Sequence, residues 1–295
     1  MSAVNPEWIR LRSDALDVAV DPFGAQLSVL RDARGRDLLW DGDPSFWSGR
    51  APILFPIVGG LNGDTYQWRG HTYSLAKHGF ARRRRFDVVT AEPSAARFRL
   101  TPDEQSRTAY PFEFELDVTF VVSGASLTAT ARAVNTGPAV MPASLGFHPA
   151  FRWPLPDGSS RDSHVIQFER DEPAAMRQLD AAGLIAPHTV PTPIADARLR
   201  LCDELFEKDA LIFDHIASRR VRYRSDAGPS LSVSFPDARY LGIWTKPHAG
   251  FVCIEPWRGI ADAAGFAGEF DEKPGVVSVQ PHDALTLTMV IEVHE

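Results

Sequence analysis

From Phe112 to Phe120 the chain reads Phe-Glu-Phe-Glu-Leu-Asp-Val-Thr-Phe, with every second side chain apolar and every one between them polar. A period of two places one set of side chains on a buried face and the other in solvent, which fits a half-buried strand and not a helix. The alternation returns in Leu231-Ser232-Val233-Ser234-Phe235 and in Leu285-Thr286-Leu287-Thr288-Met289. Buried parallel strands tend to read as unbroken apolar runs, so these segments predict antiparallel sheets.

Turn chemistry points the same way. In Tyr66-Gln67-Trp68-Arg69-Gly70-His71-Thr72-Tyr73 a glycine separates two aromatic-rich pieces, as in a short hairpin. Spread over 295 residues, 23 prolines and 21 glycines would interrupt long helices repeatedly but are at home in loops between strands. The predicted fold class is all-β, an antiparallel β-sandwich. No low-complexity linker and no repeat of fixed period divides the chain, so a single domain over residues 1–295 is the simplest organisation.

Several function classes are disfavoured. With 44% apolar and 23% charged residues the composition is that of a globular protein, and no run approaches the roughly 20 apolar residues of a membrane-spanning helix. The opening Met1-Ser2-Ala3-Val4-Asn5-Pro6-Glu7 lacks a basic start followed by an apolar stretch, which predicts a cytoplasmic location. Cys202 and Cys253 are too few for a disulfide framework and are expected to be reduced. A net charge of -7 argues against a nucleic-acid partner. The one dense basic run, Arg82 to Arg85, reads most simply as a solvated strand or loop edge.

Three segments mix titratable groups with Gly, Pro and aromatics: Arg50 to Gly60 continuing to Lys77-His78-Gly79-Phe80-Ala81-Arg82, then Leu145 to Phe151, then Gly250 to Trp257. In the third, an apolar strand runs into Glu255 and is expected to stop at Pro256, which cannot donate to a sheet ladder. A carboxylate so placed serves as readily in a structural salt bridge as in catalysis. His148 lies between Phe147 and Pro149 with Phe151 close behind, where an imidazole could move protons near neutral pH. A satisfied core histidine is the commoner fate of such a residue, and the same holds for His78. Arg50 and Arg82 could anchor oxygen-rich ligands through fixed guanidinium donors. Asp209 could accept from sugar hydroxyls or simply cap a loop.

Taken together, and in this order, the segments resemble the aldose 1-epimerase (galactose mutarotase-like) family, in particular its divergent branch of LacX-type proteins and hexose-6-phosphate mutarotases. The resemblance rests on Arg50 with Pro52 to Gly59, His78-Gly79-Phe80-Ala81-Arg82, Gly146-Phe147-His148-Pro149-Ala150-Phe151 and Cys253-Ile254-Glu255-Pro256-Trp257. It implies a large galactose mutarotase-like supersandwich with a monosaccharide or sugar phosphate on its concave face. It further implies an isomerase that needs no cofactor or metal, working as a monomer or homodimer. By motif, Glu255 matches the general base, His148 the general acid on the opposite side of one sugar cleft, His78 a substrate-orienting histidine, and Arg50, Arg82 and Asp209 sugar contacts. Unlike the best-known galactose mutarotases, whose acid histidine lies in an asparagine-containing motif, this chain has Phe147 and Pro149 around His148, so galactose specificity does not carry over.

Three rival readings compete with this one. A non-catalytic carbohydrate-binding or sensing protein would not need an acid beside a base. A glycosidase would ordinarily flank its bond with two carboxylates, and a polysaccharide lyase is a further chemistry that sandwich folds host. A metal site of His78, His148 and Glu255 has suitable ligand types but no supporting local spacing.

Overall fold

The first alternating segment lies in the strand Phe114–Ser123. In this computed structural model, which describes residues 5–156 and 160–295, Phe114, Leu116, Val118 and Phe120 are fully buried while the polar residues between them stay half-exposed. The other two segments fall in Ser230–Ser234 and Ala284–His294. The hairpin at Tyr66 to Tyr73 is formed by Thr65–Trp68 and His71–Ser74. Among the described residues one short α-helix occurs, Glu104–Ala109, started by Asp103 in a capping box with Ser106.

Two large sheets face each other. The first has nine strands in the order Arg198–Arg200, Val165–Phe168, Arg220–Arg224, Ser230–Ser234, Ala284–His294, Ser126–Asn135, Phe114–Ser123, Ala95–Leu100, Asp87–Ala91. The second runs Ile185–Val190, Met176–Leu179, Leu211–Phe213, Tyr240–Trp244, Phe251–Arg258, Leu145–Phe147, Ile53–Leu54, with Ala150–Arg152 also pairing Phe251–Arg258. The strand pairs in both are antiparallel. Leu116, Val118, Leu287 and Ile291 from the first sheet share one apolar cluster with Leu241, Ile243, Val252 and Ile254 from the second, as a sandwich requires.

The strand Phe251–Arg258 sets up the site. Its apolar run hid an alternation: Val252 and Ile254 belong to the cluster between the sheets, whereas Phe251, Cys253, Glu255 and Trp257 take the opposite face. Both faces are covered, so the stretch from Phe251 to Ile254 shows no polar positions. The expectation that Pro256 ends this strand is corrected. The strand continues to Arg258, with Pro256 paired to Leu241 across the ladder. On its other side Gly146 pairs with Trp257 and Ala150 with Cys253 at the same register, and His148, in the short gap between these two strands, comes opposite Glu255.

Candidate active site

That register has an immediate result. His148 Nε2 lies 3.2 Å from Glu255 Oε2, with the two side chains 8% and 2% exposed. Acid and base were expected on opposite sides of a cleft. They are cross-strand neighbours and share one wall. Glu255 Oε2 and His148 Nδ1 are both buried without a hydrogen-bond partner. Buried polar atoms are normally satisfied, and these two border a cavity of about 230 Å³.

Aromatic rings build the walls. Trp47 stacks on His148, with centroids 4.9 Å apart and planes at 29°, and Trp244 meets the same imidazole edge-on at 5.8 Å. Trp257 lies over Gly242, where a Cβ would come within 2.3 Å of the indole. Such rings, beside a few polar groups, offer the apolar faces against which the C–H side of a sugar ring can pack.

His78 completes the inner wall. It holds a positive φ of 69°, is 8% exposed, and accepts at Nδ1 a hydrogen bond of 3.1 Å from the Gly59 N–H. Its neutral ring therefore carries the proton on Nε2. Lys77, Arg82 and Asp209 stand around the same cavity. Asp209, also at positive φ, accepts from the Ala210 N–H through Oδ1, so the loop-capping role and the place at the cavity coexist.

Burial dominates the electrostatics. It holds the Glu255 carboxyl well above the usual carboxylate range, with Lys77 and Arg82 pulling it down and Asp209 adding to the rise. Burial, reinforced by the positive charge of Arg82, brings His148 down to about 3. His78 is likewise pushed well below the ordinary histidine value, first by burial and then by His148 and the nearby cations. Burial thus favours the uncharged form of each member of the contact pair, and the two groups share one mobile proton.

Arg50 is the one expected sugar contact that the fold does not bring here. Its guanidinium donates to the Ser28 carbonyl at 2.9 Å and sits over the Trp8 ring at 5.2 Å. It faces a separate depression lined by Asp37, Asp41 and Arg152. Of the basic run, Arg82 turns to the cavity, while Arg84 pairs with Asp103 and Arg85 with Glu7 on the surface.

The His148, Cys253 and Glu255 ligand atoms lie within 4.8 Å of one another and could in principle hold a metal ion. Cys253, however, packs with Trp40, Ala150, Ala249 and Phe251 outside the cavity lining, and burial keeps its thiol protonated. Cys202 and Cys253 are both free thiols.

With the geometry in place, the chain can be set beside known proteins. The family model described as aldose 1-epimerase matches residues 7–273. The chain belongs to the aldose 1-epimerase family. Within it, the protein LacX (chromosomal) of Lactococcus lactis subsp. lactis is 31% identical over 286 residues, which is 93% of this chain and 95% of that one. The crystal structure of a galactose mutarotase related enzyme from Lactobacillus acidophilus superposes with a TM-score of 0.90 at 29% identity, covering 98% of this chain and 97% of its own. A galactose mutarotase-like protein from Lactobacillus casei gives 0.90 at 28%, with 97% and 100% covered. The sandwich is therefore of the galactose mutarotase-like type.

In this epimerase-family chain Lys77, Trp244 and Trp47 are among the cavity residues to which the sequence alone assigned no role. Lys77 directly precedes His78, and its charge was the available signal. Trp244 ends the strand Tyr240–Trp244 just before Thr245-Lys246-Pro247, where a large aromatic at a strand end is a weak cue. Trp47 comes from a Gly- and Asp-rich loop with no local pattern.

Proposed function

We propose that this protein is an aldose 1-epimerase that interconverts the α and β anomers of a monosaccharide or sugar phosphate by general acid/base ring opening. The buried contact between His148 and Glu255 at the wall of an aromatic-lined cavity carries this reading. The apolar cluster running from Leu11 to Val293 supports a single domain over residues 1–295.

The reaction removes a proton from the anomeric O1 and adds one to the ring oxygen O5. Both oxygens are bonded to C1, so an acid and a base in contact on one wall can address both. In the reacting form the proton of the pair passes from Glu255 to His148; Lys77 and Arg82 ease the Glu255 side of this transfer and oppose the His148 side. Glu255 takes the O1 proton, His148 delivers its proton to O5, and the C1–O5 bond opens. The aldehyde turns about C1–C2, and closure in the reverse sense returns both protons. His78, as an Nε2–H donor, orients the sugar, and Asp209 accepts from a hydroxyl. Each proton-transfer group is worth about 10² to 10⁴-fold.

Neither Lys77 nor Arg82 forms a salt bridge among the described residues, which supports a phosphorylated substrate as well as a neutral one. Polarimetry on freshly dissolved α-glucose, α-galactose and glucose 6-phosphate tests the proposal. At least one should equilibrate far faster with the protein than with His148→Ala. If no sugar of a broad panel distinguishes the two proteins, the epimerase reading is wrong.

A further inference from the structure

Lys273 and Asp262 are 2% and 3% exposed, take no part in the chemistry above, and form an ion pair of 3.1 Å between Nζ and Oδ1. A pair buried this deeply contributes little stability over apolar residues of similar volume, because desolvating both charges offsets their attraction. What it supplies is direction, through the hydrogen bonds that flank it on both sides. Lys273 Nζ also donates to the Ile260 carbonyl, and Asp262 Oδ2 accepts from the Asn62 N–H at 2.9 Å. The Asp262 N–H in turn donates to the Gly60 carbonyl at 2.9 Å.

These bonds tie the loop at 260–262 to the loop at 59–62, and both loops form cavity wall through Ala261 and Gly59. The fit between them is tight. A Cβ on Gly59, whose φ is 75°, would lie 2.5 Å from that of Ala261. Gly59 is also the residue that grips His78 from both sides: its carbonyl accepts from the His78 N–H at 2.8 Å and its own N–H donates to Nδ1 at 3.1 Å. Behind this wall lies a second cavity of about 240 Å³ whose lining includes Asn62, Asp262 and Lys273. The wall therefore borders space into which it can relax, and the ion pair stands at that border.

We propose that the buried Lys273–Asp262 pair is a positioning element that clamps the 59–62 and 260–262 loops together, and so fixes the tautomer and orientation of His78. The effect on sugar binding rests on the epimerase reading; the effect on the His78 ring does not.

The test joins imidazole 15N NMR, with the His78 signals assigned through His78→Gln, to steady-state mutarotation. The intact protein should show one tautomer, protonated at Nε2. Lys273→Met should lose that single tautomer and raise KM for the sugar turned over by about tenfold, with a smaller fall in kcat. Because a lone buried carboxylate can unfold the variant, the neutral double variant Asp262→Asn with Lys273→Met serves as the second measurement. It should fold and still show mixed tautomers. An unaltered Nε2–H tautomer with unchanged KM in either folded variant overturns the clamp. Should the wild type turn over no sugar while the tautomer responds to Lys273→Met, the epimerase reading falls and the clamp stands.

Discussion

Trp47 lies flat against His148, at a centroid distance of 4.9 Å, and shields one face of the imidazole from water. A residue from a loop thus controls the solvation of a residue held by the sheet. Replacing Trp47 with Ala should lower kcat/KM by about tenfold, since a stacked aromatic contact is worth about 0.5–1.5 kcal/mol beyond its buried area. Trp47→Phe should recover most of the loss. Initial rates from polarimetry decide it.

Substituting either member of the contact pair should nearly abolish turnover. Glu255→Gln and His148→Ala should each reduce kcat by about 10² to 10⁴-fold. The double variant should be little worse than the poorer single one, because groups that act as a unit are not additive. Fully additive losses, measured by NMR exchange between anomers, would contradict a shared-proton mechanism.

Acid should weaken the fold through His148. Its native value, depressed to about 3, lies below that of the unfolded chain, so between these limits the unfolded state binds the extra proton and stability rises with pH. Near pH ~5 one such proton corresponds to about 1.4 kcal/mol per pH unit. Urea unfolding should show His148→Ala with a slope smaller than wild type by about that amount. Glu255, held high by burial, acts in the opposite sense: its contribution to stability falls as the pH rises above the unfolded carboxyl value.

Arg50 and Arg82 should separate cleanly. Arg50→Met cuts the bond to Ser28 and the contact with Trp8, so it should cost about 1–3 kcal/mol of stability and leave KM within roughly twofold. Arg82→Met should do the reverse, raising KM about tenfold, which matches one charge-assisted hydrogen bond of about 1.5 kcal/mol. Thermal melts and saturation kinetics on the same samples check both.

Gly242 gives a packing test. A methyl group there would stand 2.3 Å from the Trp257 ring, and overpacking of this kind costs about 1–3 kcal/mol. Gly242→Ala should lower the melting temperature and raise KM together, because the Trp257 ring that must shift also lines the cavity.

The sandwich was legible because strands such as Phe114–Ser123 face solvent on one side and so display their period. The strand that matters most for chemistry was not. Phe251–Arg258 is covered on both faces, which erased the alternation and made Pro256 look like a terminus. His148 and Glu255 could be found from residue type and motif, but their contact depends on a register between segments more than 100 positions apart, which no local pattern encodes. Arg50 shows the converse failure. Its motif placed it near the right segment, and the backbone then turned it toward Ser28 and Trp8. Trp47 reaches His148 through a long-range packing contact, and its loop carries no periodic signal at all.

The pairing of Gly146 with Trp257 and of Ala150 with Cys253 means that the distance between the two proton-transfer groups is a property of the sheet ladder. Trp47 and Asp209 reach the same space from outside the strands. Sugar preference can therefore drift as those connections lengthen, shorten or change sequence, while the reacting pair keeps its spacing. The division separates what a lineage is free to vary from what it must keep.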